Sequence, residues 1–180
     1  MIASCVMPAP HTGRLPAAQD PRAARLNVVL VEPKIPPNTG NVARLCAVTA
    51  SRLHLVAPLG FSVDDKDLKR AGLDYWDKVH AATWGSFDEL LQTERIDPVR
   101  LHFFTGRGST PLWEARFQTG DWLVFGDEVS GLPEALLARY AERQVRVPMI
   151  AEPSARSLNL STCAGICVYE ALRQLSSVVD

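Results

Sequence analysis

Short aliphatic runs recur along this chain, and most of them give way at once to a cluster of glycine, proline and polar residues. Runs at residues 27–31, 52–57, 79–82, 100–105, 122–125 and 144–147 are predicted strands. Several are continuously apolar, as strands covered on both faces must be. Helical patterns lie between and after them at 39–49, 64–72, 86–92, 133–140 and 162–175, with Ser86 as a cap and Pro133 at a first turn. Pro36 and Pro37, ahead of Asn38, read as stop and cap signals before the first of these helices. That alternation predicts an α/β fold: one domain with a mostly parallel sheet flanked by helices.

The chain has 180 residues, enough for one core and too few for two catalytic domains. Residues 1–25 are rich in proline and alanine and read as a flexible tail, leaving 26–180 as the folded domain. The longest apolar stretches fall far short of the roughly 20 residues that span a bilayer, so no membrane association is expected. The first residues lack a basic segment and are interrupted by Pro8, Pro10, Pro16 and Pro21, which does not fit a secretory signal; a cytoplasmic location is expected. Cys5, Cys46, Cys163 and Cys167 have no paired spacing and the four histidines are scattered, so no metal site is expected. Cys163 and Cys167 stand four apart on a predicted helix, which puts both on one face, most simply as small core residues.

The unusual residues fall where an open α/β sheet binds its ligands, beyond the carboxyl ends of the strands. The first strand is followed by Glu32-Pro33-Lys34-Ile35-Pro36-Pro37-Asn38-Thr39-Gly40-Asn41, with Arg44 in the next helix. Later strands are followed by Thr105-Gly106-Arg107-Gly108-Ser109, by Gly126-Asp127-Glu128-Val129-Ser130-Gly131-Leu132-Pro133, and by 148–161, which contains Arg156-Ser157-Leu158-Asn159-Leu160-Ser161. Each cluster alone is explained by turn and cap chemistry, Asn38 and Asn159 as helix caps included. Four at one sheet edge point to a site. No dinucleotide fingerprint, Walker motif or nucleophile elbow is present; Gly106 and Gly108 supply only a GxG. Gly126 and Gly131, around Asp127 and Glu128, would let the backbone approach a flat ligand such as an adenosine edge.

These runs, together with Arg44-Leu45-Cys46-Ala47 and Arg70-Ala71-Gly72-Leu73-Asp74-Tyr75, closely resemble the tRNA (cytidine/uridine-34) 2′-O-methyltransferases of the SPOUT class. The resemblance covers residues 26–175, in order. It implies S-adenosyl-L-methionine as cofactor, a C-terminal deep trefoil knot and a homodimer whose active site draws on both subunits. It further implies a cofactor pocket of Phe104, Thr105, Gly126, Glu128, Gly131, Val147, Ile150, Ser157 and Asn159. Catalytic positions would be Arg44, Tyr169 and Asn41, with Arg44, Arg107 and Arg156 contacting the anticodon loop of tRNA. Ser130 and Arg107 depart from the lysine or arginine and the lysine common among relatives, the 150–155 loop is longer, and the tail has no counterpart in minimal members.

A guanidinium is a poor base at neutral pH, so Arg44 is expected to orient phosphate and stabilise the oxyanion before it accepts any proton. Competing readings are a methyltransferase of ribosomal RNA, for which a separate RNA-binding domain is expected, and a non-catalytic cofactor- or RNA-binding module. A nicotinamide oxidoreductase lacks its fingerprint. With 19 basic and 20 acidic residues the net charge is −1, so RNA affinity must come from local arginine clusters; 15 of the 19 cations are arginine.

Overall fold

A computed structural model describes residues 25–62, 79–150 and 157–176. Its centre is a seven-stranded sheet: β1 (Leu26–Val31), β2 (Arg52–Val56), β3 (Ala81–Trp84), β4 (Leu101–Phe104), β5 (Thr110–Pro111), β6 (Asp121–Phe125) and β7 (Gln144–Arg146). The order across the sheet is β3-β2-β1-β6-β4-β7-β5, and every pairing is parallel. The predicted α/β architecture is therefore what the chain adopts, and the sheet, predicted to be mostly parallel, is parallel at every pairing among the described strands. The predicted helix at 64–72, the tail and the Arg70–Tyr75 run lie outside the described residues.

Side chains alternate across the strands, and each face builds its own core. Val28, Leu30, Leu53, Leu55, Leu123 and Phe125 point to one face. Two long helices cover it: α1 (Pro36–Thr49) and α4 (Leu160–Ser176). Val29, Val31, Leu101, Phe103, Trp122 and Val124 point to the other, under two short helices, α2 (Phe87–Thr93) and α3 (Glu134–Arg139). On that face Phe103 stacks on Tyr140 at 4.6 Å between centroids, and Phe87 closes on both rings.

Helix boundaries follow local chemistry. α1 begins three residues before its predicted start because Pro36 and Pro37 stand inside its first turn, where a missing N–H costs nothing and the fixed φ is already helical. Asn38 is thus within the helix and does not cap it; Ile35 is the N-cap residue and makes no side-chain cap bond. The helix stops at Ala50, in the left-handed region with φ 52°. Ser86 caps α2 as expected, accepting from the Glu89 N–H at 3.1 Å. Pro133 precedes α3 as its N-cap residue. β3 begins two residues later than predicted, and β5, a two-residue edge strand ending in Pro111, was not predicted at all.

At the amino-terminal end of the strands, Asp121 is buried and answered by Arg100 at 2.8 Å and His102 at 3.0 Å. The opposite end, where β1, β4, β6 and β7 stop, opens into a cavity.

Candidate active site

The cavity has a volume of about 510 Å³ and lies between the loops after β1, β4 and β6 and the start of α4. A smaller lobe of about 160 Å³ shares Phe104, Thr105, Gly106, Ser157, Leu158 and Cys163 with it and adds Val147 and Met149. The large lobe is polar at its far end, where Asn38, Asp127, Glu128 and Asn159 line it. The small lobe is bordered by the apolar Phe104, Val147, Met149 and Leu158.

The loop after β6 folds back on itself. Asp127 and Gly131 exchange two backbone hydrogen bonds of 3.1 Å, and Gly131 takes φ +75°. A Cβ on Gly126 would sit 2.0 Å from the carbonyl carbon of Gly131 and 2.2 Å from the nitrogen of Leu132. Glycine is required at 126 by the chain's own return, and the residue also lines the cavity. Gly131 lines the cavity too but has open space around it.

Two neighbouring acids of this loop hold the loop after β1. Glu128 accepts from the Lys34 N–H at 2.9 Å, the Ile35 N–H at 3.2 Å and Asn38 Nδ2 at 3.0 Å. Asp127 pairs with Lys34 Nζ at 2.8 Å and accepts from the Val129 and Ser130 N–H groups, each at 2.6 Å. Burial works against the Asp127 carboxylate, but the Lys34 ammonium and the two N–H donors outweigh it and hold its pKa below the ordinary value. That same carboxylate raises the pKa of Lys34.

The network reaches α4. Asn159 Nδ2 donates to Asn38 Oδ1 at 2.9 Å, while Asn159 Oδ1 accepts from the N–H and hydroxyl of Ser161 and from the Thr162 N–H. Asn159 is therefore both a helix cap and a cross-link between the two ends of the site. The role of Asn38, buried and bonded to Glu128 and Asn159, escaped the sequence reading, which saw a cap; a carboxylate 90 residues away left no local signal.

Of the residues expected in the cofactor pocket, Phe104, Thr105, Gly126, Glu128, Gly131, Ser157 and Asn159 line the large lobe and Val147 the small one. Ile150 lines neither and is 75% exposed. In an extended segment alternate residues share a direction, and it is Val147 and Met149 that face the small lobe. Arg107 lines the large lobe and pairs with Glu134. Arg156 lies outside the described residues. Asn41, Arg44 and Tyr169 do not border the cavity. Asn41 and Arg44 fall on an exposed stripe of α1 with Pro37 and Val48, and Tyr169, 56% exposed, falls on a stripe of α4 with Thr162 and Arg173. Tyr169 is thus no core residue.

Residues 25–169 match the SpoU rRNA Methylase family. The chain belongs to that family. Within it, the chain is 52% identical over 149 residues to the tRNA (cytidine(34)-2′-O)-methyltransferase of Burkholderia pseudomallei, covering 82% of this chain and 94% of the relative. A solved structure from a study of the 2-OH methylation of C/U34 on tRNA superposes with a TM-score of 0.78 at 46% identity, over 84% of this chain and 97% of that one. The crystal structure of an AdoMet-bound rRNA methyltransferase of Sinorhizobium meliloti gives a TM-score of 0.75 at 26% identity, over 86% of this chain and 58% of that one. The match to this SpoU family covers β1 to β7 and most of α4, so it includes all four loops around the cavity. Among the described residues no helix is long and apolar enough to cross a membrane.

Proposed function

We propose that this chain is a tRNA methyltransferase that transfers the methyl group of S-adenosylmethionine to the ribose 2′-hydroxyl of nucleotide 34. The observation that carries this reading is the 52% identity to a tRNA (cytidine(34)-2′-O)-methyltransferase over 94% of that relative. The cavity fits the cofactor. Its combined size is that of a small-molecule site, with one apolar lobe for a purine and one polar lobe for a charged amino-acid end. Phe104, Val147, Met149 and Leu158 would hold the ring; Ser157, Thr105 and the Gly131 backbone would hold the polar groups. When bound, S-adenosylmethionine supplies a methyl group on a sulfonium, open to in-line attack.

The protein's own task is alignment and charge control. Glu128, Asn38 and Asn159 fix the loop after β1, and with it the start of the helix that carries Asn41 and Arg44. Arg44, with a planar fork of donors, orients the phosphate and stabilises charge on the attacking oxygen. The hydroxyl proton leaves late or in step with methyl transfer, when the oxygen has become acidic. Arg44 and Tyr169 lie away from the cavity bordered by their own chain, on exposed stripes of helices that pack against each other. This supports a homodimer in which those stripes meet a second copy and bring Arg44 and Tyr169 to its cofactor site. In the same reading residues 26–180 form the catalytic domain, residues 1–25 a tail, and the segment from β7 to α4 the trefoil knot. Sheet order supports the knot, since β7 lies beyond β6 and β4 while α4 returns to pack on α1. The enzyme works in the cytoplasm, gripping the anticodon loop through local arginines, Arg107 and Arg156 among them.

Incubation with labelled S-adenosylmethionine and total cellular RNA, followed by mapping of the labelled nucleoside, tests the reading. Label at the 2′-oxygen of nucleotide 34 is expected. Label on a base, or only on ribosomal RNA, would overturn it.

A further inference from the structure

The loop after β1 leaves its strand through Glu32, in the left-handed region at φ 53°, a conformation that a side chain makes costly and that persists only where neighbours fix it. The helix that follows does little to fix itself. Ile35 makes no side-chain cap bond, and Pro36 and Pro37 have no N–H to give. The loop is gripped instead at Lys34. Its Cα lies against Gly60, where a Cβ would come within 2.8 Å of it. Its N–H donates to Glu128 Oε2 at 2.9 Å, and its ammonium pairs with Asp127 Oδ2 at 2.8 Å. We propose that Lys34 and Asp127 are a positioning pair for methyl transfer, whose ion pair seats α1, and with it Arg44, against the cavity. This rests on the reading of the chain as a 2′-O-methyltransferase.

Asp127 divides its carboxylate between two tasks. Oδ1 accepts from the Val129 and Ser130 N–H groups and closes the loop after β6 on itself, which leaves Oδ2 to reach Lys34, 93 residues away. The ion pair is thus not needed to fold that loop; it joins the loop to the one that starts α1. Charge points the same way. Glu32, Asp127 and Glu128 all act on the Lys34 ammonium, so three carboxylates share one cation. Without it Asp127 and Glu128 repel each other, and Glu128 is pushed from the Lys34 and Ile35 N–H groups that it holds at the start of α1. The Asp127 side chain is only 6% exposed, which spares the pair much of the screening that weakens ion pairs in open solvent. Arg44 stands eight residues beyond Pro36, about 12 Å along the helix at 1.5 Å per residue, so a tilt at the loop is carried to its guanidinium. A misplacement of about 1 Å can cost about 100-fold in rate. Neither Lys34 nor Asp127 is among the groups that would hold the donor, so donor binding does not depend on the pair.

The test uses the full-length protein: single-turnover methyl transfer to total tRNA with enzyme in excess, calorimetry with S-adenosylmethionine, and urea unfolding. Lys34→Met and Asp127→Asn, which keeps Oδ1 for the turn, should each slow single-turnover transfer by about tenfold or more. The Kd for S-adenosylmethionine should stay within about threefold. The urea midpoint should move by less than about 0.5 M. The double variant should be no slower than the slower single one, because the two side chains act as one unit. Lys34→Arg, which keeps a cation within reach of Oδ2, should retain at least about half of the rate. Should Asp127→Asn unfold, Lys34→Met, which leaves the turn intact, decides. Unchanged rates in the single variants overturn the inference and leave the activity standing. So does a rate loss matched by an equal loss of donor affinity or stability, or one that Lys34→Arg shares in full. Unmodified protein that transfers no methyl group overturns the activity and the inference with it.

Discussion

The two faces of the sheet are built from the same strands, yet they are covered differently. One is aromatic and short-limbed: Phe87, Phe103, Trp122 and Tyr140 interlock beneath helices of seven and six residues. The other stacks Phe104 on Phe125 beside a mostly aliphatic core, and small residues, Ala43, Cys46, Ala164, Cys167 and Ala171, let helices of 14 and 17 residues lie close to the strands and to each other. Interlocked rings fix a face that has only to hold. Long, closely seated helices can instead carry exposed stripes turned away from the sheet, Arg44 on one and Tyr169 on the other, while their amino-terminal ends close the cavity. The first face should therefore answer to mutation in stability and the second in chemistry.

The most severe test of that division is Phe103→Ala. Its ring is fully buried between Tyr140 and Phe87, so its loss should cost about 3–5 kcal/mol, read from the urea midpoint, while the folded fraction keeps its methyl-transfer rate. A fall in rate per folded molecule would show the two faces to be coupled. Arg44→Ala should do the converse, lowering kcat/KM by about 100-fold with the midpoint moved by less than about 0.5 kcal/mol. Arg44→Lys refines this: turnover near that of the unmodified protein would argue against a required two-pronged guanidinium.

Next in size is a pH effect on the aromatic side. His54 Nδ1 accepts from the Trp84 indole at 3.1 Å, and its Nε2 is buried with no partner. Burial, with Arg52 nearby, lowers its pKa to about 3, against about 6.5 in the unfolded chain. The unfolded state thus takes the proton first. Stability from this group is complete above about pH 6.5 and is lost as pH falls toward 3, about 2 kcal/mol of it by pH 5. A His54→Gln variant should show a flatter unfolding profile across that window. The smallest effect belongs to Asn159. Replacing it with alanine should remove about 1 kcal/mol of helix capping. Asn159→Asp should restore the cap but not the hydrogen bond donated to Asn38, so stability should recover and cofactor affinity should not.

Where the sequence could be read correctly, the reason lies in the same contrast. β1, β4 and β6 are apolar at successive positions because both faces are covered, and a run of that kind is visible without knowing what covers it. The edges were harder. β5 consists of Thr110 and Pro111 and has no run to see, and β3 takes its place from pairing with β2 rather than from Val79. In the site, residue types at the strand ends located the cavity and most of its wall. They could not show that Glu128 is engaged by Lys34, Ile35 and Asn38, since those contacts join positions 90 or more apart. Nor could spacing tell Val147 and Met149 from Ile150, a distinction that depends on which way an extended backbone turns.

The bond from Asn159 to Asn38 spans 121 residues. Contacts of such separation form late, because the intervening chain must first be ordered. During synthesis β1 and α1 leave the ribosome long before the segment at 157–176 that holds Asn159. A nascent chain of this protein can therefore assemble much of its sheet while the cavity is still open on the side that Asn159 closes. With the cavity proposed as the methyl-donor site, competence to bind the donor arrives as a late event in translation, and incomplete chains have no finished site with which to draw on the cell's supply of it.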